Sequence, residues 1–300
     1  AQYTKSKNKS ALVRNPCVND PQWTVDRKGW IHKVWRKKHA VSPNYYIYSG
    51  DEWHIGDRYC FSVHCMNKMR GWLKERYGDL RNLNAEWGSN FPDWMKVLPD
   101  TIEEAEQKGN FASWGDHRLF MEENFTEYIA FWTKAAREMD PQAVTMIGAI
   151  NASYDWGHDW YALMKAGIKP MPYMSFDTFS TIEVARSFAL KGQRIGAYEE
   201  PWWALMHHCD NMSHWTAHRF VQPDFEIDKS LHSFTEEAVR SGIYDLLRNA
   251  ERDHSGIAVH YSTSSRYASH ISGYTEFLKN LGSWQHLIED LGLQYNFVAR

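Results

Sequence analysis

The sequence lacks any run approaching the roughly 18 consecutive apolar residues of a membrane-spanning helix, and it shows no charged-then-apolar leader. A membrane is therefore not an expected partner. Cysteine is scarce: Cys17, Cys60, Cys65 and Cys209 are the only four in 300 residues. They are too few for a disulfide scaffold and lack paired C-x2-C spacing. They leave the compartment open, with a periplasmic or secreted setting favoured over a cytoplasmic one. A surplus of one charge is also missing, since 34 Lys and Arg stand against 37 Asp and Glu, for a net charge of −3. No basic field exists to attract a phosphate backbone, which excludes nucleic acid as an expected partner. Internal repeats, low-complexity tracts and Gly/Ser linkers are absent too, so residues 1–300 are expected to form one domain.

Aromatic residues are abundant instead: 15 Trp, 16 Tyr and 14 Phe. Many belong to a core, because aromatics dominate buried area. Trp53, Trp114, Trp156, Trp202, Trp203 and Trp215 sit in polar, Gly-rich or His-rich surroundings. That context points to a ligand cleft walled by at least two of them, since binding pockets favour aromatic walls.

Short β-prone runs occur at 45–49, 144–150, 174–179, 194–198 and 256–261. Helical patterns separate them at 22–39, 65–77, 118–139, 160–166, 182–191, 235–252 and 274–291. Alternation of this kind predicts βαβ units and a parallel sheet, whose strands, covered on both faces, need no period-2 pattern. Asp140-Pro141 and Gly78 punctuate helix ends, and Ser233 ahead of Glu236 resembles a capping box for the helix expected from Thr235. About five strands are visible, where a closed (β/α)8 barrel needs eight.

Two places concentrate carboxylates at strand ends. The run Ile47-Tyr48-Ser49-Gly50 delivers Asp51-Glu52-Trp53, and Arg194-Ile195-Gly196-Ala197-Tyr198 runs into Glu199-Glu200-Pro201-Trp202. Two carboxylates on separate strand ends are what acid/base-plus-nucleophile glycoside hydrolysis uses. Neighbouring side chains on a strand point oppositely, so Glu199 and Glu200 cannot both face one cleft.

From Leu12 onward the chain resembles family 42 glycoside hydrolases, the microbial β-galactosidase group within the retaining (β/α)8 barrels. Arg14-Asn15-Pro16-Cys17-Val18-Asn19-Asp20-Pro21 looks like the substrate loop after the third barrel strand. Gly50-Asp51-Glu52, with the segment from His64-Cys65-Met66 to Tyr77-Gly78, looks like the fourth-strand acid/base motif and the helix behind it. Leu83-Asn84-Ala85-Glu86-Trp87-Gly88 and Trp94 continue the match, and Tyr198-Glu199-Glu200-Pro201 resembles the nucleophile motif on the seventh strand.

The resemblance implies an α/β (β/α)8 TIM-type barrel of which this chain supplies about five βα units, strands four to eight. The first strands would then come from an additional polypeptide segment or subunit. It implies a retaining glycosidase acting on β-galactosides or related β-linked hexosides and galactans, with an oligosaccharide or polysaccharide substrate. Glu52 would be the acid/base and Glu199 the nucleophile, with Glu200 as its fallback. Arg14, Asn15, Asp51, Trp53, Tyr154, Trp156, Trp202, His207 and His260 would contact substrate. Asp51 stands where the family usually has the Asn that holds the sugar 2-hydroxyl, and it can still accept that hydrogen bond. The family's zinc cluster uses closely spaced cysteines near this loop. Here Arg58 replaces one of them and the remaining pair has Cys60-x4-Cys65 spacing, so no metal and no cofactor is expected.

Two rivals stand beside this reading. A catalytically inactive carbohydrate-binding barrel would keep the aromatic cleft, and the change at Asp51 motivates it. A metal-dependent hydrolase could use the His207–His218 loop, where Cys209-x4-His214-x3-His218 has ligand-like spacing.

Overall fold

The computed structural model describes residues 8–14, 16–39, 47–56, 60–172, 181–198, 201–209, 211–213, 221, 224–227, 229–274 and 277–299. The chain packs as two compact units, each discontinuous in sequence. One comprises Ala1–Tyr45, His54–Ala143 and Gly157–Asp159; the other comprises Tyr46–Trp53, Val144–Trp156 and Trp160–Arg300.

The first unit is helical, with α1 (Pro21–His39), α2 (Val63–Tyr77), α3 (Leu80–Trp87), α4 (Ile102–Lys108) and α5 (Ala112–Arg137). Local chemistry sets their ends. Ser62 accepts from Cys65 N to open α2, Gly78 closes it, and Asp79 caps α3. Thr101 and Glu104 form a capping box on α4. Helix α5 begins earlier than expected, and Trp114, Asp116, His117 and Arg118 lie inside it, all buried. The Trp114 indole is therefore core and not cleft wall. Asp116 ties three helices together, because its Oδ2 accepts from Tyr77 Oη at 2.5 Å and from Trp87 Nε1 at 2.8 Å. Fully buried Arg118 pairs with Glu122 at 2.8 Å and donates to the Gly56 carbonyl at 2.9 Å. Gly157 completes that contact at φ +62°, where an added Cβ would lie 2.3 Å from Ile55. Only glycine fits there.

The second unit holds the strands: β1 (Ile47–Asp51), β2 (Thr145–Ile150), β3 (Lys169–Pro172), β4 (Gly196–Tyr198), β5 (Asn211–Ser213), β6 (Ile257–His260) and β7 (Tyr295–Val298). Its helices are α6 (Trp160–Lys165), α7 (Thr181–Phe188), α8 (Pro201–Met206), α9 (Lys229–Phe234), α10 (Ile243–Asn249), α11 (Thr263–Ile271) and α12 (Phe277–Asp290). The described strands form three small sheets, ordered β1-β2-β3, β4-β5 and β6-β7, and every pairing within them is parallel. Strand β3 runs beside β4. The expected alternation of strand and helix is present, with the sheets smaller than a closed barrel requires.

Three expectations need adjustment. Strand β3 lies at Lys169–Pro172, a run disguised by Pro170 and Pro172, while the strand expected over 174–179 falls outside the described residues. The helix expected over 235–252 is broken: α9 ends at Phe234, a π-helical turn covers Thr235–Val239, and Gly242 at φ +80° precedes α10. Ser233 consequently sits inside α9, where its hydroxyl donates to Glu237, and it caps nothing. Strands β5 and β7 were not expected: β5 pairs with β4, and β7 is formed through long-range pairing with β6, from Ile257 opposite Tyr295 to His260 opposite Val298.

Candidate functional site

In the second unit, β1 carries the strand-end acids. Its parallel ladder with β2 runs from Ile47 opposite Thr145 to Asp51 opposite Gly148, and Glu52 N extends it by donating to the Gly148 carbonyl at 3.2 Å. Glu52 then turns away at φ +51°, an uncommon conformation for a residue with a side chain. Strain of this kind concentrates at working sites. The motif's glycine has a clear cause: a Cβ on Gly50 would lie 2.0 Å from Trp53 Cε2, so the indole folds back over the strand only because position 50 is bare. Asp51 and Glu52 are exposed and Trp53 is half-buried, which leaves two carboxylates open to solvent beside a fixed aromatic ring. At the same end of β2, Ala149 has φ +54° and the register with β3 shifts between Gly148 and Ile150.

The loop after β2 is pinned. Ala152 N donates to Thr181 Oγ1 at 3.0 Å, and Tyr261 Oη donates to the Ala152 carbonyl at 2.9 Å. Tyr154 is buried, with its ring stacked on His270 at 3.6 Å, so it braces the loop against α11. Trp156 is half-buried, and His260 ends β6 exposed. Trp202 is partly exposed and packs its edge on Phe234 at 5.1 Å. Glu199 and Glu200, which follow the last residue of β4 in the sequence, lie outside the described residues, as does Asn15.

A feature the sequence did not announce lies on α7. Glu183 of α7 is completely buried and receives Arg186, Arg252 Nη1 at 2.9 Å, and His207 Nδ1. Burial pushes this carboxyl up, but hydrogen bonds from His207 and Arg186, with the charges of both, outweigh it and hold the group well below the usual carboxylate range. His207 follows α8 directly and stacks on Trp203 at 3.7 Å. Glu183 thus anchors the helix that starts at Pro201, and His207 serves as that anchor's partner. The i, i+3 spacing of Glu183 and Arg186 was visible in the sequence; that it faces inward was not.

In the first unit, the Arg14 guanidinium donates to the carbonyls of His54, at 3.3 Å, and Ile55. It therefore clamps the segment following the Asp51-Glu52-Trp53 motif in the chain. Cys17, Cys60 and Cys65, all buried, have sulfur atoms within 4.8 Å of one another. Hydrogen bonding with Cys17 and Cys65 pushes the Cys60 thiol down, and hydrogen bonding with Cys17 and Cys60 pushes the Cys65 thiol up. The expectation of no metal site rested on Arg58 standing in place of a family cysteine and on the Cys60-x4-Cys65 spacing. The fold brings Cys17 to Cys60 and to Cys65 of α2, a group of three thiols, which is three of the four ligands of a structural zinc site. Among the described residues, this is the group positioned to share a metal, rather than the His207–His218 loop, whose His214 and His218 lie outside them.

The family model described as β-galactosidase, glycoside hydrolase family 42, matches residues 2–275. β-Galactosidase BgaA of Planococcus sp. (strain 'SOS Orange') is 22% identical over 194 residues, covering 61% of this chain and 27% of its own. β-Galactosidase BgaB of Geobacillus sp. (strain Y412MC61) is 33% identical over 82 residues, 25% of this chain and 11% of its own. Among solved structures, the β-galactosidase of Bacillus circulans sp. alkalophilus superposes with a TM-score of 0.71 at 16% identity, over 94% of this chain and 49% of that one. The exo-carrageenase of Bacteroides ovatus superposes with a TM-score of 0.58 at 17% identity, over 79% and 40%. The chain thus spans about half the length of the structures it matches, and about a quarter of BgaA.

Proposed function

The chain belongs to the family 42 β-galactosidases, and from that we propose that it carries the catalytic pair of a retaining glycoside hydrolase acting on β-galactosides or related β-linked hexosides. The observation that carries the reading is Glu52, exposed at the carboxyl end of a parallel strand beside Trp53, within a chain that matches the family along most of its length. Active sites of parallel α/β barrels sit at that end of the strands.

Glu199 would attack the anomeric carbon while Glu52 protonates the departing glycosidic oxygen. Glu52 would then take a proton from water as that water displaces Glu199 from the sugar. The two carboxyl groups should lie about 5 to 5.5 Å apart, as retention requires. Asp51 would accept from a sugar hydroxyl, with Trp53, Trp156 and Trp202 offering ring faces and His260 a polar edge. Arg14, Asn15, Tyr154 and His207 complete the proposed substrate contacts. Tyr154 stacks on His270 and His207 is held by Glu183, partners that favour bracing over touching sugar. The Cys17–Cys60–Cys65 cluster fits zinc by donor chemistry, since buried thiols are soft ligands; a zinc there would tie α2 to the segments carrying Cys17 and Cys60 and take no part in bond cleavage.

A second segment would close the barrel. Among the described residues, β1 has β2 on one side and no strand on the other, and an open edge of this kind is normally covered. The half-length match to full galactosidases supports the same reading.

Proton NMR of aryl β-galactoside cleavage by the protein at its native length should show β-galactose as the first product, with the α anomer appearing only by mutarotation. α-Galactose as the first product, or no turnover at all, contradicts the proposal.

A further inference from the structure

We propose that the first unit carries a second saccharide site, separate from the acid/base motif, in the cavity of about 340 Å³ among α1, α2 and α5. Three aromatic residues form part of its wall. Trp23 and Tyr128 stand 5.4 Å apart at 47°, and Tyr128 stacks on Phe131. Arg27 lies 5.1 Å over the Trp23 ring and steadies it.

The polar side is a connected group. Lys68 Nζ donates to Asn124 Oδ1 at 2.9 Å and to Glu127 Oε2 at 2.5 Å. Asn124 is 3% exposed, and with its oxygen taken by Lys68 its amide nitrogen has no hydrogen-bond partner among the described residues. A buried donor with no acceptor is uncommon and calls for an explanation. Here it belongs to a side chain lining a cavity, next to a carboxylate whose side chain is 65% exposed and can accept from hydroxyls.

Charge narrows the ligand class. Glu127 pairs with Lys68, so the lining lysine is already engaged and is not free to hold a phosphate or sulfate. Donors and acceptors opposite aromatic rings, in a volume near the lower bound of ligand sites, suit one neutral pyranose. The choice of galactose as the hexose rests on the proposed activity; the existence of the site does not.

The test is calorimetric titration of the native-length protein with galactose, using glycerol as a control, in the wild type and in Trp23→Ala and Glu127→Ala. We expect a binding event that Trp23→Ala weakens about tenfold or more. Glu127→Ala should weaken it too, with kcat/KM on an aryl β-galactoside within twofold of wild type in both variants. Galactose binding that depends on Trp23 in a protein without turnover would sink the proposed activity and leave this site standing. Turnover with galactose binding insensitive to both substitutions overturns the site. Equal heat from glycerol overturns the sugar assignment, and so does a cavity filled by another segment of the protein, seen as no binding there at all. If Trp23→Ala does not fold, the exposed Glu127→Ala decides alone.

Discussion

Glu52→Ala should lower turnover of galactosides with poor leaving groups by about 10²- to 10⁴-fold, the range general acid catalysis contributes. Aryl galactosides with good leaving groups need little protonation and should still glycosylate the enzyme. Their turnover should then stall, because the base that activates water is gone as well. Azide, a nucleophile that needs no deprotonation, should restore turnover and yield galactosyl azide. Steady-state rates on the two substrate types and product analysis with azide check this. Equal loss on both types, with no azide product, removes Glu52 from the acid/base role despite its exposed position after β1.

The largest stability effect should come from Glu183. Replacing it leaves Arg186 and Arg252 without their buried counter-charge, and breaking a buried ion pair costs about 3 to 5 kcal/mol. That is a large share of a marginal total. Glu183→Ala should show it as a lower urea midpoint at pH 7, with Glu183→Gln intermediate if it keeps the hydrogen bond to His207. The pH dependence separates this network from other acid-sensitive groups. Its carboxyl is depressed in the folded state, so its contribution is complete above the unfolded value of about 4.3 and is lost as pH falls below that toward the folded value. Burial pushes His117 down to about 3, and here the unfolded chain binds the proton first as pH falls below about 6.5. Stability should therefore begin to fall near pH 6.5 in wild type and in Glu183→Gln alike. Below about pH 4.3 wild type should fall more steeply, while Glu183→Gln keeps the slope set by His117 and flattens only below about pH 3. Parallel curves over the whole range would mean that Glu183 is not the acid-sensitive member.

Much of this organisation was legible because local signals and tertiary structure agree. The end of α2 follows from Gly78, and the strand-end acids stood out because the β-prone run Ile47-Tyr48-Ser49-Gly50 delivers them directly before Trp53. Failures occurred where structure depends on distant partners. Strand β3 contains two prolines that read as a break, yet it pairs with β2 through Met146 opposite Lys169 and is buried throughout. Strand β7 exists through β6. The thiol cluster was underestimated because Cys17 is brought to Cys60 and Cys65 by folding rather than by spacing. His207 illustrates the limit of residue type: in the sequence it reads as a sugar or metal contact, while in the fold its Nδ1 is held by a carboxylate 24 positions earlier.

The catalytic assignment is tested most directly by trapping the covalent intermediate. An activated 2-deoxy-2-fluoro-β-galactoside should glycosylate the protein quickly and leave it slowly, since the fluorine destabilises the oxocarbenium-like transition state. Intact mass should rise by one fluorogalactosyl group per chain, and peptide mapping should place it on Glu199. A label on Glu200, or on no residue of the Tyr198-Glu199-Glu200-Pro201 segment while turnover is still blocked, contradicts the account.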